Sequence, residues 1–414
     1  MQAFAYESGK LFAEGVSVED LARRYGTPLY VYSRNHLRER YRAIVSAMAE
    51  VQPMVCYSVK ANSNAAVIKT LIDEGSGFDI VSGGELFRAL RAGADANKIV
   101  FAGVGKTRDE IEYALRERIG FFTVESESEA ARISECARHL GIPGRIAFRV
   151  NPDVDPKTHK YISTGKKENK FGLDLERVMK AYETAAALPG IEIAGLHLHI
   201  GSQLLSADPF GQALGKVKEM CLALKAKYPT FRTIDIGGGL GIDYKPDQQA
   251  LDPVVYAAAV LPFLKGLSLK VVMEPGRSIV GNAGILVCRV QVVKASHFKT
   301  FIVVDAGMND LIRPALYQAH HEIKAVTATS KTVTGDLVGP ICESGDFLAQ
   351  DRELPDVKED DLVAAFSAGA YGFAMSSNYN SRPRAAEVMV DGNDAFLIRR
   401  RETWEDIVRG ESIP

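Results

Sequence analysis

Cysteine is scarce and unpatterned in this chain. Five residues (Cys56, Cys136, Cys221, Cys288 and Cys342) are scattered over 414 positions, odd in number and without a Cys-x-x-Cys pair, which argues against a disulfide framework and against a zinc site. Excess charge is lacking as well. The 50 Lys and Arg balance 52 Asp and Glu to a net charge of -2, leaving no electrostatic case for nucleic acid or an anionic membrane surface as partner. Long apolar runs are missing: Lys265 and Lys270 interrupt the longest apolar region, and Met1 to Lys10 carries no basic-then-apolar leader pattern. No membrane span is expected, and the expected location is the cytoplasm. Repeats and low-complexity linkers do not stand out. What is present is an ordinary globular composition, 46% hydrophobic and 25% charged. The length exceeds one ordinary core, which favours one barrel-sized domain plus a smaller one.

A short helical pattern at Val18 to Tyr25, closed by Gly26, and a strand-like Pro28 to Tyr32 come first. A regular alternation follows. Apolar strand candidates fall at Met54 to Val59, Gly77 to Val81, Ile99 to Ala102, Phe121 to Val124, Ile146 to Val150, Ile193 to Ile200, Thr233 to Ile236 and Lys270 to Met273. Helical patterns such as Gly84 to Arg91 and Glu127 to Leu140 fill the gaps. Eight strands alternating with helices predict an α/β fold, a parallel (β/α)8 TIM barrel, with a doubly wound open sheet as the competitor. The strand ends favour the barrel. They carry Lys60, Asp79 to Ser82, Gly103, Glu125, Arg149 and Asn151, His199, Gly237 to Gly239, and Glu274, which a barrel gathers at one face and an open sheet spreads along an edge. An insertion at Asp153 to Gly172 reads as a lid or as a mobile surface loop. From Gly281 the texture turns β-rich, at Leu286 to Val293, Phe301 to Asp305, Glu322 to Ala328, Leu362 to Ala368 and Ala385 to Val390. The expected domains are therefore a barrel over 33–280 and a second, β-rich domain built from 1–32 and 281–414.

The stretch Pro53 to Asn62 is a buried strand that delivers Lys60 to the mouth of whatever it encloses. A desolvated lysine amine beside other cations can form a Schiff base with a carbonyl group, although most lysines past a strand end are simply solvated. Gly237 to Gly241 fails as a dinucleotide fingerprint, because Ile242 stands where the third glycine belongs. It suits a phosphate cradle instead. The loops after strands seven and eight of a barrel are the usual phosphate site, and here they hold Gly237 to Gly239 and Pro275-Gly276-Arg277. His197 and His199 share one face of the sixth strand candidate. No further ligand pattern follows them, so no metal is expected; one is read as a packed core residue and the other as free to lie against an aromatic ligand. Glu274 could keep a pyridine nitrogen protonated. Lys60, Arg149 and Arg277 make the mouth cationic, which suits a phosphate and a carboxylate-bearing substrate. In the β-rich part, Pro340 to Asp346 packs Cys342 and two carboxylates into a turn, and Arg313 and Tyr317 stand four apart.

Six ordered motifs, YSVKAN at 57–62, HIGSQ at 199–203, GGGLG at 237–241, MEPGR at 273–277, CESGD at 342–346 and AGAYG at 368–372, resemble the fold-type III, alanine racemase-like, pyridoxal-phosphate decarboxylases. The resemblance spans essentially the whole chain. The insertion, with Thr164-Gly165 and Lys170-Phe171-Gly172, is most similar to the members acting on meso-2,6-diaminopimelate, with ornithine, arginine or carboxynorspermidine as alternative substrates. The resemblance implies pyridoxal 5'-phosphate as cofactor, Lys60 as its covalent anchor and His199 stacked on its ring. It further implies Glu274 at the pyridine nitrogen, and Ser202, Gly238, Pro275, Gly276, Arg277 and Tyr371 around the rest of the cofactor. Arg277, Arg313, Tyr317, Glu343 and Tyr371 would face the amino-acid substrate, and Cys342 would reprotonate the α-carbon. Because Cys342 and Glu343 reach the site from the other subunit in that family, a homodimer with shared active sites is implied.

Overall fold

The computed structural model describes residues 3–154 and 171–414, so most of the insertion, including Thr164-Gly165 and Lys170, lies outside the described residues. The chain divides into two compact units, one comprising 40–242 and 249–278 and the other 1–39, 243–248 and 279–414.

The first unit is a closed parallel barrel. Its eight strands are Met54–Ser58, Gly77–Ile80, Ile99–Phe101, Phe121–Val124, Gly144–Asn151, Ile191–Leu198, Thr233–Asp235 and Lys270–Met273. Each pairs in parallel with the next, and the ring closes where Val272 and Met273 of the eighth meet Met54 and Val55 of the first. An open sheet would leave those two strands as edges. The strands are short, apolar and buried on both faces, as parallel strands covered by helices must be. Cys56, Val100, Phe121, Ala147 and Val272, contributed by five strands, pack together as one core cluster. The fifth and sixth strands run longer than their apolar patterns suggest, because Gly144, Arg145, Ile191 and Glu192 extend the ladder outward.

Helices follow the strands, and the loops between them start those helices chemically. Asn64, Ser82, Thr107, Ser126 and Asp252 each accept a backbone N–H of the first helical turn, and Glu110 completes a capping box with Thr107. These caps set where each strand-to-helix loop ends, and those loops are where the chemistry sits.

The second unit is β-rich. Leu29–Ser33 lies in its main sheet between Gly284–Ala295, antiparallel to it, and Ala386–Asp391, parallel to it. The sheet continues through Thr300–Val304, Thr332–Val338 and Phe347–Pro355 on one side and Asp394–Arg399 on the other. The strands at 332–338, 347–355 and 394–399, and an N-terminal three-stranded meander (Phe4–Glu7, Lys10–Ala13, Val16–Ser17), go beyond the sequence expectation. The exposed faces of 332–338 and 347–355 carry Thr332, Thr334, Gln350, Asp351 and Glu353, which dilutes the apolar signal.

Candidate active site

The sequence around Lys60 folds as a locked turn. The first barrel strand ends at Ser58, a single 3-10 turn spans Val59–Ala61, and the Tyr57 hydroxyl donates to the Asn62 carbonyl at 3.0 Å. Asn62 then accepts the Asn64 N–H at 3.0 Å and Asn64 caps the following helix. Lys60 is thereby held at the strand end, and its Nζ lies 2.5 Å from Asp79 Oδ2, on the second strand. The Ser58 hydroxyl donates at 2.7 Å to the same Asp79 oxygen and lies 2.9 Å from the Glu274 carbonyl. Burial and the nearby Glu274 push the Asp79 carboxyl up, and Lys60 partly offsets them.

Glu274 follows the eighth strand and is 5% exposed. Burial alone would raise its pKa; the charge and hydrogen bond of His197, with Lys60 adding to them, hold it down to about 2. His197 Nε2 donates to Oε2 at 3.1 Å. His197 is therefore more than the packed core residue its pattern suggests. His199 does not share its strand: it lies one residue beyond the end at Leu198. Its Nδ1 accepts the Gly238 N–H at 3.3 Å, and burial, followed by the adjacent Arg149 cation, takes its pKa well below 6.5, so the ring is neutral.

The glycine run is needed by the protein's own packing. Gly237 has φ +67°, and a Cβ there would stand 2.4 Å from the Leu198 carbonyl oxygen and 2.9 Å from His199 Nδ1. A Cβ on Gly238 would lie 2.1 Å from the Glu274 carbonyl oxygen, and one on Gly276 3.0 Å from Ser58 Cβ. Beside these loops Arg277, 8% exposed, donates from Nη2 to the Ser202 hydroxyl at 3.1 Å. Lys60, His199, Ser202, Gly238, Glu274, Pro275, Gly276 and Arg277 all belong to strand ends or following loops of one barrel mouth.

Several supports carried no motif. Asp235, two residues before the glycine run, is fully buried and accepts the Gly237 N–H at 2.9 Å. Glu125 accepts from Arg149 Nη1 at 3.2 Å with one oxygen and from the Gly172 N–H at 2.7 Å with the other, and Arg149 Nη2 donates to the His199 carbonyl at 3.3 Å. Lys106 is buried with Nζ bonded to the Gly103 and Thr123 carbonyls and to Glu129, whose other oxygen accepts the Glu125 N–H. The readable signal was a charged residue inside or next to an apolar run, which is rare unless paired.

The remaining expected residues belong to the β-rich unit. Arg313 Nη1 lies 2.9 Å from His321 Nε2, and His321 Nδ1 donates to the Phe366 carbonyl at 2.8 Å, so Nε2 accepts from the guanidinium. The Tyr244 ring lies 4.5 Å from the same guanidinium carbon. Tyr317 closes the short helix Arg313–Tyr317. Cys342 and Glu343 are exposed; the Cys342 N–H donates to Asn380 at 2.9 Å, and Glu343 accepts the Tyr379 hydroxyl at 2.7 Å. Asp346 ties their turn to the 305–317 segment by accepting the Met308 and Ile341 N–H groups, both at 2.6 Å. Tyr371 sits at φ +57°, a left-handed conformation that a non-glycine residue rarely adopts.

Residues 34–281 match the family model of the pyridoxal-dependent decarboxylase, pyridoxal binding domain. The chain belongs to the pyridoxal-dependent decarboxylase family. Its relatives there include the diaminopimelate decarboxylases of Aquifex aeolicus, 51% identical over 404 residues (97% of this chain and 96% of that one), and of Pseudomonas aeruginosa, 50% identical over 414 residues (100% and 99%). Among solved structures, Helicobacter pylori diaminopimelate decarboxylase complexed with L-lysine superposes with a TM-score of 0.91 at 41% identity, covering 94% of this chain and 98% of that one.

The residues present fit pyridoxal phosphate. Glu274 is a buried anion whose Oε1 has no donor among the described residues, and a protonated pyridine nitrogen is such a donor. Around it stand an amine at Lys60 and a hydroxyl and guanidinium at Ser202 and Arg277, the groups an aldehyde and a phosphate require.

Proposed function

We propose that this chain decarboxylates meso-2,6-diaminopimelate to L-lysine and CO2, the last step of lysine biosynthesis, as a cytoplasmic homodimer with shared active sites. One arrangement carries the reading: Lys60 held against Asp79 at the same barrel mouth as the buried anion Glu274. When bound, pyridoxal phosphate supplies a protonated pyridine that withdraws the electron pair left on the α-carbon as CO2 departs. In this reading Lys60 anchors the cofactor, Glu274 holds the proton at its ring nitrogen, and the neutral His199 lies against its face. Ser202, Gly238, Pro275, Gly276, Arg277 and Tyr371 hold it in place. Arg277, Arg313, Tyr317, Glu343 and Tyr371 bind the amino-acid groups of the substrate, and the Cys342 thiol returns a proton to the α-carbon.

The barrel over 33–280 is the cofactor-binding domain in this scheme, and 1–32 with 281–414 supplies substrate and catalytic groups. The exposure of Cys342 supports a role at a neighbouring subunit's site. Five free cysteines suit a reducing compartment, and no helix among the described residues is long and apolar enough to cross a membrane. Borohydride reduction followed by peptide mass mapping is expected to place the cofactor on Lys60. Diaminopimelate is expected to release CO2 faster than ornithine, arginine or carboxynorspermidine. A label on another amine, or a preference for one of those three, overturns the proposal.

A further inference from the structure

His197, Asp235 and Glu274 come from the sixth, seventh and eighth strands and meet beneath the barrel mouth. His197 stands opposite Asp235 in the ladder, and one nitrogen or oxygen of each residue lies within 4.8 Å of the others. All three are buried. That spacing would also admit a small cation, but His197 Nε2 already donates directly to Glu274 Oε2 at 3.1 Å. On the other side, Asp235 spends Oδ1 on the Gly237 N–H, while Asp235 Oδ2 and Glu274 Oε1 are both buried with no donor among the described residues. Two bare carboxylates so placed repel strongly in a dry site, and each leaves an acceptor unsatisfied. A single proton between them removes both penalties. Burial, and then Glu274, push the Asp235 carboxyl well above the ordinary carboxylate range, which puts that proton on Asp235.

We propose that Asp235 is a protonated acid donating to Glu274, and that with His197 it fixes Glu274 as a single, oriented anion for the ring nitrogen of the bound cofactor. A carboxylate oxygen accepts twice, so the Asp235 proton and the ring N–H do not compete for one lone pair. Both are positioning residues, acting through Glu274. The other charged or titratable neighbours among the described residues include Lys60 and Asp79 from the first two strands, His199 beyond the sixth, Cys56 and Tyr256. Asp235 also joins the two halves of the site, since the same side chain pins Gly237 at the glycine turn.

The inference rests on the cofactor reading above, and its test compares two ligands. The full-length apoenzyme is titrated with pyridoxal phosphate and with its 1-deaza analogue, in which carbon replaces the ring nitrogen. His197→Leu and Asp235→Ala are expected to weaken pyridoxal phosphate binding by about tenfold, the scale of losing an outer partner of a ligand group. His197→Leu is not expected to change binding of the analogue, and Asp235→Ala, which also frees Gly237, is expected to weaken it less than it weakens pyridoxal phosphate. His197→Gln, which keeps an N–H, and Asp235→Asn, which keeps a neutral donor, are expected to restore most of the affinity. With ring-15N cofactor bound, the nitrogen resonance of His197→Leu is expected to move toward that of the unprotonated ring. Equal losses for both ligands, or no loss for either, overturn the assignment, as does an unshifted resonance. A parent chain binding the two ligands equally would remove the Glu274 contact and the assignment with it, whereas failure to release CO2 would remove only the reaction.

Discussion

At the scale of single residues, burial decides which groups are charged. Asp310 is 2% exposed, accepts the Gly307 N–H and leaves Oδ1 without a donor among the described residues; burial is the main cause that raises its pKa to about 7. Between the ordinary carboxylate value and that figure, the folded chain holds the proton while the unfolded chain releases it. Raising pH through this window therefore costs the folded state. Asp310→Asn is expected to gain on the parent by about 2 to 3 kcal/mol between pH 5 and pH 8, read from urea unfolding at each pH; a constant difference would refute it. Cys342→Ala is expected to lower turnover about a hundredfold or more while leaving cofactor absorbance in place, because general acids contribute at that scale. Parental turnover in that variant would assign the proton to another donor. His321 sets the acceptor that faces Arg313, so His321→Leu is expected to raise KM for diaminopimelate with little change in kcat.

At the scale of elements, the loops after the strands are braced by buried charge. Lys106 has all three of its donors bonded and Glu129 depends on it. Lys106→Met leaves that carboxylate buried without its cation and is expected to cost about 3 kcal/mol in denaturant unfolding. A loss within surface-substitution range would show that the loop does not rely on the pair. The sequence made the barrel strands legible because strands covered on both faces read as apolar runs, and helix Val18–Tyr25 because Gly26 marks its end. Lys60 and Glu274 were legible as charges placed at the ends of such runs. The meeting of His197, Asp235 and Glu274 was not, since it depends on the lateral register of separate strands, which a linear pattern does not contain. Half-exposed strands such as Thr332–Val338 were missed for the opposite reason, a mixed rather than an apolar face.

At the scale of the molecule, the proposed shared site makes a specific demand on assembly. Subunits bearing Lys60→Ala and subunits bearing Cys342→Ala, each inactive alone, are expected to recover about a quarter of parental activity when unfolded together and refolded as an equal mixture, because half of the dimers then hold one intact site of two. No recovery would mean that both residues serve a site within one chain. The order of strands in the β-rich unit bears on how such a subunit is made. Leu29–Ser33 lies between Gly284–Ala295 and Ala386–Asp391, so this segment leaves the ribosome well before either of its partners. The barrel can close in the meantime, while the waiting strand keeps both rows of backbone donors and acceptors open to any extended peptide nearby. In a nascent chain the backbone of Leu29–Ser33 is thus still unpaired when the barrel segments have already been made.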